Sequence, residues 1–318
     1  MAQNVGRNTP ADSLFHLVED SERAHFPGVA AEQVVSDGDS YVKTIAKRFF
    51  KNKVAVVSLG VFIIMILVAV FANQIAPHPR DASVGLFRAA PYENFFLGTD
   101  DTGRDVLSRL IHGTQVSMIV GLCSVAIYVV IGTTLGLVSG YFGGFIDAVI
   151  MRITEAFMSF PFFLVILTLV SLLGSGIWVV TIVLGALSWP PLCRLVRGQV
   201  LKLKGQDFIL AAEATGYSTF GILFVHILPN VLSPILVNAT FGIATAILTE
   251  ASLSFLGVGV RPPQPSWGNI LSQAQSIRVL TAEPWRWVPA GILIFIAVLS
   301  INFIGEGLRE AIEGENKG

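Results

Sequence analysis

The sequence predicts an all-α integral membrane protein with about six transmembrane helices, and three observations carry that expectation. Hydrophobic residues fill 53% of the 318 positions and charged residues only 14%, too little polar surface to cover a soluble core of this size. The apolar residues are clumped into runs near the length of a bilayer crossing. Lysine falls only on alternate connections between those runs, as expected of a chain threaded back and forth across a membrane.

Residues 1–46 read as a polar N-terminal tail with no apolar run, hence no cleavable signal, so the first span is expected to act as its own insertion signal. That span lies within 47–76. Its stretch Val54–Ala72, "VAVVSLGVFIIMILVAVFA", carries 13 Val, Leu, Ile or Phe residues and no charge. At the helix centre those residues favour insertion by roughly −4 to −8 kcal/mol. Residues 77–112 follow as an external segment. A core of five further spans is expected over 113–310, in the runs Val116–Val138, Phe157–Leu173, Ile177–Leu192, Val231–Thr249 and Val288–Gly305. Two of these are short, so their ends must extend into flanking sequence. Ile146–Ala156 is excluded as a lipid-facing span, because Asp147, Arg152 and Glu155 would cost roughly 8–10 kcal/mol at mid-bilayer. It is expected at an interface or against other helices. Five or seven spans are the alternatives, and 311–318 forms the tail.

Lys43, Lys47, Lys51, Lys53, Lys202, Lys204 and Lys317 all fall on one side of a six-span chain, which the positive-inside rule makes cytoplasmic. Both termini are then cytoplasmic. Arginine is less one-sided: Arg80, Arg88, Arg104, Arg109, Arg261, Arg278 and Arg286 fall outside. Cys123 and Cys193 lie in or beside different spans near opposite faces, which argues against a disulfide. A net charge of −1 argues against a nucleic-acid partner.

In the external "FLGTDDTGRDVLSRLIHG", Val106, Leu107, Leu110 and Ile111 share a helical face, while Asp105 and Arg109 are spaced to pair on its surface. A surface-lying amphipathic helix is expected, since the carboxylate spacing does not match a calcium loop. The later external segment is rich in Pro and Trp. Trp267, Trp285 and Trp287 suit the headgroup region, as an aromatic belt or as part of a lid or docking surface. Glu250 is expected to reach water at the outer end of span five. Glu306 and Arg309 are expected to form a solvated pair at the end of span six. His226 falls outside the spans, and no cluster has metal-ligand spacing. No phosphate-binding Gly-rich loop ends in Gly-Lys-Ser/Thr, so the chain is not expected to hydrolyse nucleotide.

Two features suggest moving parts. Gly132, Gly136 and Gly140 recur every four residues and so share one helical face, where another backbone can approach closely. That suits either a core that slides or ordinary tight packing. The second feature is Asp207–Asn230, "DFILAAEATGYSTFGILFVHILPN". Asp207 is a candidate N-cap, Phe208–Thr215 reads as two turns, and Gly216 suits the left-handed residue that ends a helix. Pro229 and Pro234 then mark the approach to span five. So short a helix is marginal alone in water, and something must cover it, either lipid or the groove of a partner protein.

"LAAEATGYSTFGILFVHILPN" resembles the loop of ABC-importer permeases, whose pattern is Glu-Ala-Ala, three residues, Gly, nine residues, then Ile-x-Leu-Pro. Ala211, Ala212, Gly216, Leu228 and Pro229 match in register. Leu210 stands at the motif Glu, His226 at the Ile, and Glu213 at a variable position. "FLGTDDTGRDVLSRL", "GYFGGFIDAVIMR", "LTEASLSFLGVG" and "PPQPSWG" resemble the C-type permease of the dipeptide/oligopeptide group. The resemblance spans Lys47 to Glu313. It implies a MetI-like permease fold in a bacterial or archaeal cytoplasmic (inner) membrane. Its cytoplasmic coupling helix would include Asp207, Leu210, Ala211, Ala212, Gly216 and Tyr217. The implied partners are a homologous B-type permease, two cytoplasmic ABC ATPases that bind ATP and Mg, an extracytoplasmic solute-binding protein and membrane lipid. No cofactor belongs to this chain. Di- and oligopeptides are the implied cargo, with nickel chelates, glutathione, opines and oligosaccharides as alternatives. The absent motif Glu removes one expected polar contact to the ATPase.

Three rival readings rest on other chemistry. An ion-coupled secondary carrier needs a mid-membrane ion or proton site at broken helices, and the sequence offers no clear one. A membrane enzyme needs a nucleophile–base or metal constellation, which does not stand out. A purely structural subunit would show no ATP-dependent transport.

Overall fold

The computed structural model describes residues 41–314, and its packed body runs from Ile45. The expectations for the polar tail up to residue 40, for Lys317 and for the two termini lie outside the described residues. Within them the chain is helical, joined by loops, with no strand.

Helix α1 spans Tyr41–Phe49 and α2 spans Lys53–Val70, with Asn52 capping α2 through the Ala55 N–H. α2 buries Ala55, Ser58, Met65 and Ala69 on one side, while Val57, Ile64 and Leu67 stay uncovered on the other. An apolar helix with an apolar uncovered face is built for lipid. α3 spans Val106–Phe142, and its 37 residues rise ~56 Å, well beyond a ~30 Å hydrocarbon core. α4 (Gly144–Met158) and α5 (Phe162–Leu173) meet at a bend of 83°. Pro161 lies in that bend; it lacks an N–H and disfavours helical geometry at Phe160.

α6 (Ile177–Leu187) and α7 (Trp189–Lys204) are nearly continuous through Ser188, with Pro190 and Pro191 placed in the first turn of α7, where missing N–H groups cost little. α8 is the short Asp207–Ala214. A turn at Thr219–Gly221 and a π-helical stretch Ile222–Ile227 lead into α9, Leu228–Phe255. α10 (Trp267–Leu271) and α11 (Ile277–Ala282) precede α12, Val288–Glu313. Among the described residues five helices are long and apolar enough to cross a membrane, six if the bent α4–α5 pair counts as one broken span.

α3 is the central helix, packed against α7, α9, α6 and α2, with α12 closing the far side between α9 and α2. One end of the bundle gathers the start of α2, the ends of α3, α7 and α12, and α8. The other end gathers residues 77–105 and 257–287 as a cap.

Several expectations need correction, mostly because that cap covers what sequence alone leaves exposed. The expected surface-lying helix is the first two turns of α3, and the core helix therefore starts at Val106 instead of 113. Asp105 and Arg109 do not pair: Asp105 accepts from the Ser108 N–H at 3.0 Å as N-cap, and Arg109 lies 3.6 Å from Asp100. The third expected span begins at Phe162, past the bend. Span five begins upstream of Val231, so Pro229, Pro234 and His226 all lie within the continuous helical length Thr219–Phe255. Glu250 does not reach water but is fully buried, as is Trp267. Arg309 bonds Glu313 at 2.8 Å instead of Glu306. Both cysteines are free thiols, Cys193 buried and Cys123 half-buried.

Candidate functional site

The glycine row is the closest crossing of α3 with α7. A Cβ built on Gly132 would lie 2.9 Å from the Trp189 carbonyl oxygen. At Gly136 it would lie 2.7 Å from Val196 Cβ, and at Gly140 2.7 Å from Val200 Cβ. Only residues without a side chain allow this approach, and Val196 and Val200 fill the space instead. Near the same end, the Arg197 guanidinium holds Asp147 of α4 through two bonds of 2.6 Å, and Ser139 of α3 donates to the same carboxylate. The costly charge of Ile146–Ala156 is thus neutralised by a forked ion pair against α7.

α8 hangs from α7 by Gly205 and Gln206. Its N-cap is Gln206, not Asp207, which takes the first helical position. Gly216 ends it with φ +80, the left-handed conformation that a Cβ penalises. The Gly216 N–H donates to Glu213 O at 3.1 Å and the Tyr217 N–H to Ala212 O at 3.1 Å, the paired bonds of a Schellman end. Two faces result. Ile209 and Ala212 are buried in the bundle's own core with Val200, Ile222 and Ile227. Phe208, Leu210, Ala211 and Tyr217 are exposed. Of the residues singled out from sequence, Ala212 therefore faces inward, and Asp207, Leu210, Ala211, Gly216 and Tyr217 remain accessible. A polar tie was not foreseen: the Tyr141 hydroxyl at the end of α3 donates to Glu213 at 3.3 Å, and Lys204 donates to the Tyr141 carbonyl at 2.6 Å.

The cap is knitted by charge. Asp100 accepts from the Thr102 N–H at 2.8 Å, the Arg104 N–H at 3.0 Å and Arg104 Nε at 2.7 Å. Burial alone would raise its pKa, but these donors outweigh it and hold the carboxyl below its ordinary value. Glu283 follows the same pattern: burial raises, and the Arg286 bond with nearby Arg278 and Arg88 brings it down. Beneath the cap, Glu250 accepts from Ser254 at 2.7 Å and Ser117 at 3.2 Å, and the Trp267 indole donates to Thr114 at 3.2 Å. Hydropathy missed these buried groups because Ser117 and Thr114, which pack against them, lie more than 100 positions away. The only local signal was a charged or Trp residue at the end of an apolar run.

The bundle is that of an integral membrane protein, with a short accessible helix slung between two spans at one end and a charged cap at the other. The chain belongs to the binding-protein-dependent transport system inner membrane component family, which matches residues 132–315. Residues 40–92 match the N-terminal TM domain of oligopeptide transport permease C. A putative peptide permease protein of Brucella suis is 40% identical over 84% of this chain and 89% of its own length. The oligopeptide transport system permease protein OppC of Haemophilus influenzae is 37% identical over 90% of this chain and 92% of its own. A structure of the MetNI methionine ABC transporter shares the fold, with TM-score 0.51 and 22% identity over 64% of this chain and 96% of its own. The chain is thus the multi-pass permease component of an ABC importer.

Proposed function

We propose that this permease imports di- and oligopeptides, forming half of a translocation path with a homologous second permease. α8 seats its exposed face in a groove of a cytoplasmic ATPase, and ATP hydrolysis by two such subunits drives the cycle. An extracytoplasmic binding protein delivers the peptide to the capped end, and both termini are cytoplasmic. The observation that carries the coupling is the divided surface of α8: one face is fixed in the bundle while Phe208, Leu210 and Tyr217 are left bare beside a rigid Schellman end. Sequence kinship to peptide permeases carries the cargo. In proteoliposomes, the complex with its binding protein should show ATP hydrolysis stimulated by di- to hexapeptides. Gly216→Val, which forces a β-branched residue to positive φ at on the order of 1–2 kcal/mol, and Ala211→Trp, which adds bulk on the exposed face of α8, should both reduce co-purification of the ATPases. Stimulation by nickel chelates or sugars alone would reassign the cargo, and full ATPase retention by both variants would refute the coupling role.

A further inference from the structure

A cavity of about 390 Å³ opens in the middle of the bundle, walled by α3, the α4–α5 bend, the α6–α7 junction and α9. Its depth follows from the helices that frame it. Ser124 is the middle residue of α3, and Asn238 lies beside the middle of the continuous length Thr219–Phe255, so the cavity lies halfway along both of these membrane-length helices. Two of its walls are interrupted helices. Non-helical backbone at that depth is tolerated only where protein or a water-filled space satisfies it, never facing lipid. The bend at 159–161 and the junction at Ser188 both border this space.

Its walls are mostly apolar, with a few neutral polar side chains and no charge. No residue lining it is Asp, Glu, Lys, Arg or His. Asn238, Thr245 and Thr249 lie at helical spacing on one face of α9 with Gly242 between them. The Thr245 and Thr249 hydroxyls donate back to the Phe241 and Thr245 carbonyls at 3.1 and 2.8 Å. Their protons are used within the helix, which leaves oxygen lone pairs to accept from a ligand. The Tyr128 hydroxyl donates to the Asn238 backbone carbonyl at 3.2 Å and lies 3.4 Å from its side-chain Oδ1, beside an amide that can both give and receive. Phe157, Phe160, Phe162 and Phe241 supply the remaining, apolar walls.

We propose that this cavity is the substrate's passage through this chain's half of the transporter, and that it binds the peptide backbone through neutral hydrogen bonds. The inference rests on the peptide-permease reading above. Acceptors and an amide match the N–H and C=O groups that every peptide carries, while an uncharged wall neither selects nor traps charged side chains.

The test uses the complete complex with its binding protein in proteoliposomes. Thr245→Asp should lower uptake of acidic peptides relative to basic ones, and Thr245→Lys should do the reverse. A roughly tenfold change in the ratio is expected for one unit charge acting across a few ångströms of partly screened interior. On a background lacking Cys123 and Cys193, Thr249→Cys should react with a water-soluble thiol reagent, at a rate changed at least severalfold by ATP turnover. This arm holds even where a charged variant fails to assemble. An unchanged uptake ratio in both assembled charge variants, or no reaction at Cys-substituted Thr249 in any state, would overturn the proposal. If the unsubstituted complex shows no peptide stimulation, the cargo assignment fails instead, and thiol reactivity that responds to turnover still marks the path.

Discussion

Replacing Gly136 by alanine adds one methyl group where α3 crosses α7, and the structure allows its cost to be worked out. That Cβ would sit 2.7 Å from Val196 Cβ and 2.8 Å from the Cys193 carbonyl oxygen. Carbon pairs are comfortable at 3.5–4.0 Å, so the helices must part by ~1 Å, enough to forfeit a quarter to a half of each neighbouring contact. Overpacking of this kind costs roughly 1–3 kcal/mol, and leucine should exceed that and block assembly. The added methyl at Gly198, on α7 itself, meets nothing within 4 Å. Gly198→Ala is therefore the control, and should be neutral or stabilising by up to ~1 kcal/mol through helix propensity. The assay is the thermal aggregation midpoint of the purified complex in detergent, with peptide uptake measured alongside. The order expected is Gly198→Ala at or above wild type, then Gly136→Ala, then Gly136→Leu. A Gly136→Ala complex as stable as wild type would show that α3 and α7 are not held at this distance.

The cap gives two further expectations. Glu250→Ala leaves the Ser117 and Ser254 hydroxyls without their shared acceptor, a loss of about 1–3 kcal/mol, whereas Glu250→Gln keeps an acceptor and should be milder. Limited proteolysis within 257–287 should accelerate in that order, and equal rates for both variants would argue against the network. Asp100 has a folded pKa below its ordinary 3.8, so its contribution is fully present above that value and is lost as pH falls through the lower folded value. Asp100→Asn should therefore weaken the cap near neutrality and flatten the acid dependence of cap proteolysis below about pH 4. An unchanged acid profile would mean that another group governs it.

The spans were legible because apolar runs are long and local, and so was the stop at Gly216, which depends on one residue's backbone freedom. The glycine row was legible as a face, though not as the partner of Val196 and Val200, since spacing names one side of a crossing only. The cap was not legible. Arg109 and Glu250 look like solvated helix ends until residues more than 100 positions away fold over them. The cap of α8 shifted by one residue because Gln206, a weak capping side chain, holds the position by backbone conformation alone. The motif register puts Ala212 in the short helix, but it does not say which side of a helix faces home, and Ala212 faces inward.

The joint between α7 and α8 sets a limit on slack. Lys204 and Asp207 are separated by three Cα steps, which reach at most ~11 Å when fully stretched. α7 is in turn locked to α3 along three glycines, so the two helices respond as one stiff beam. A pull on α8 can be absorbed only until that short tether is taut. Under the proposed coupling role, slack could be taken up only over Gly205 and Gln206 before the load reached α7 and, through the glycine row, α3.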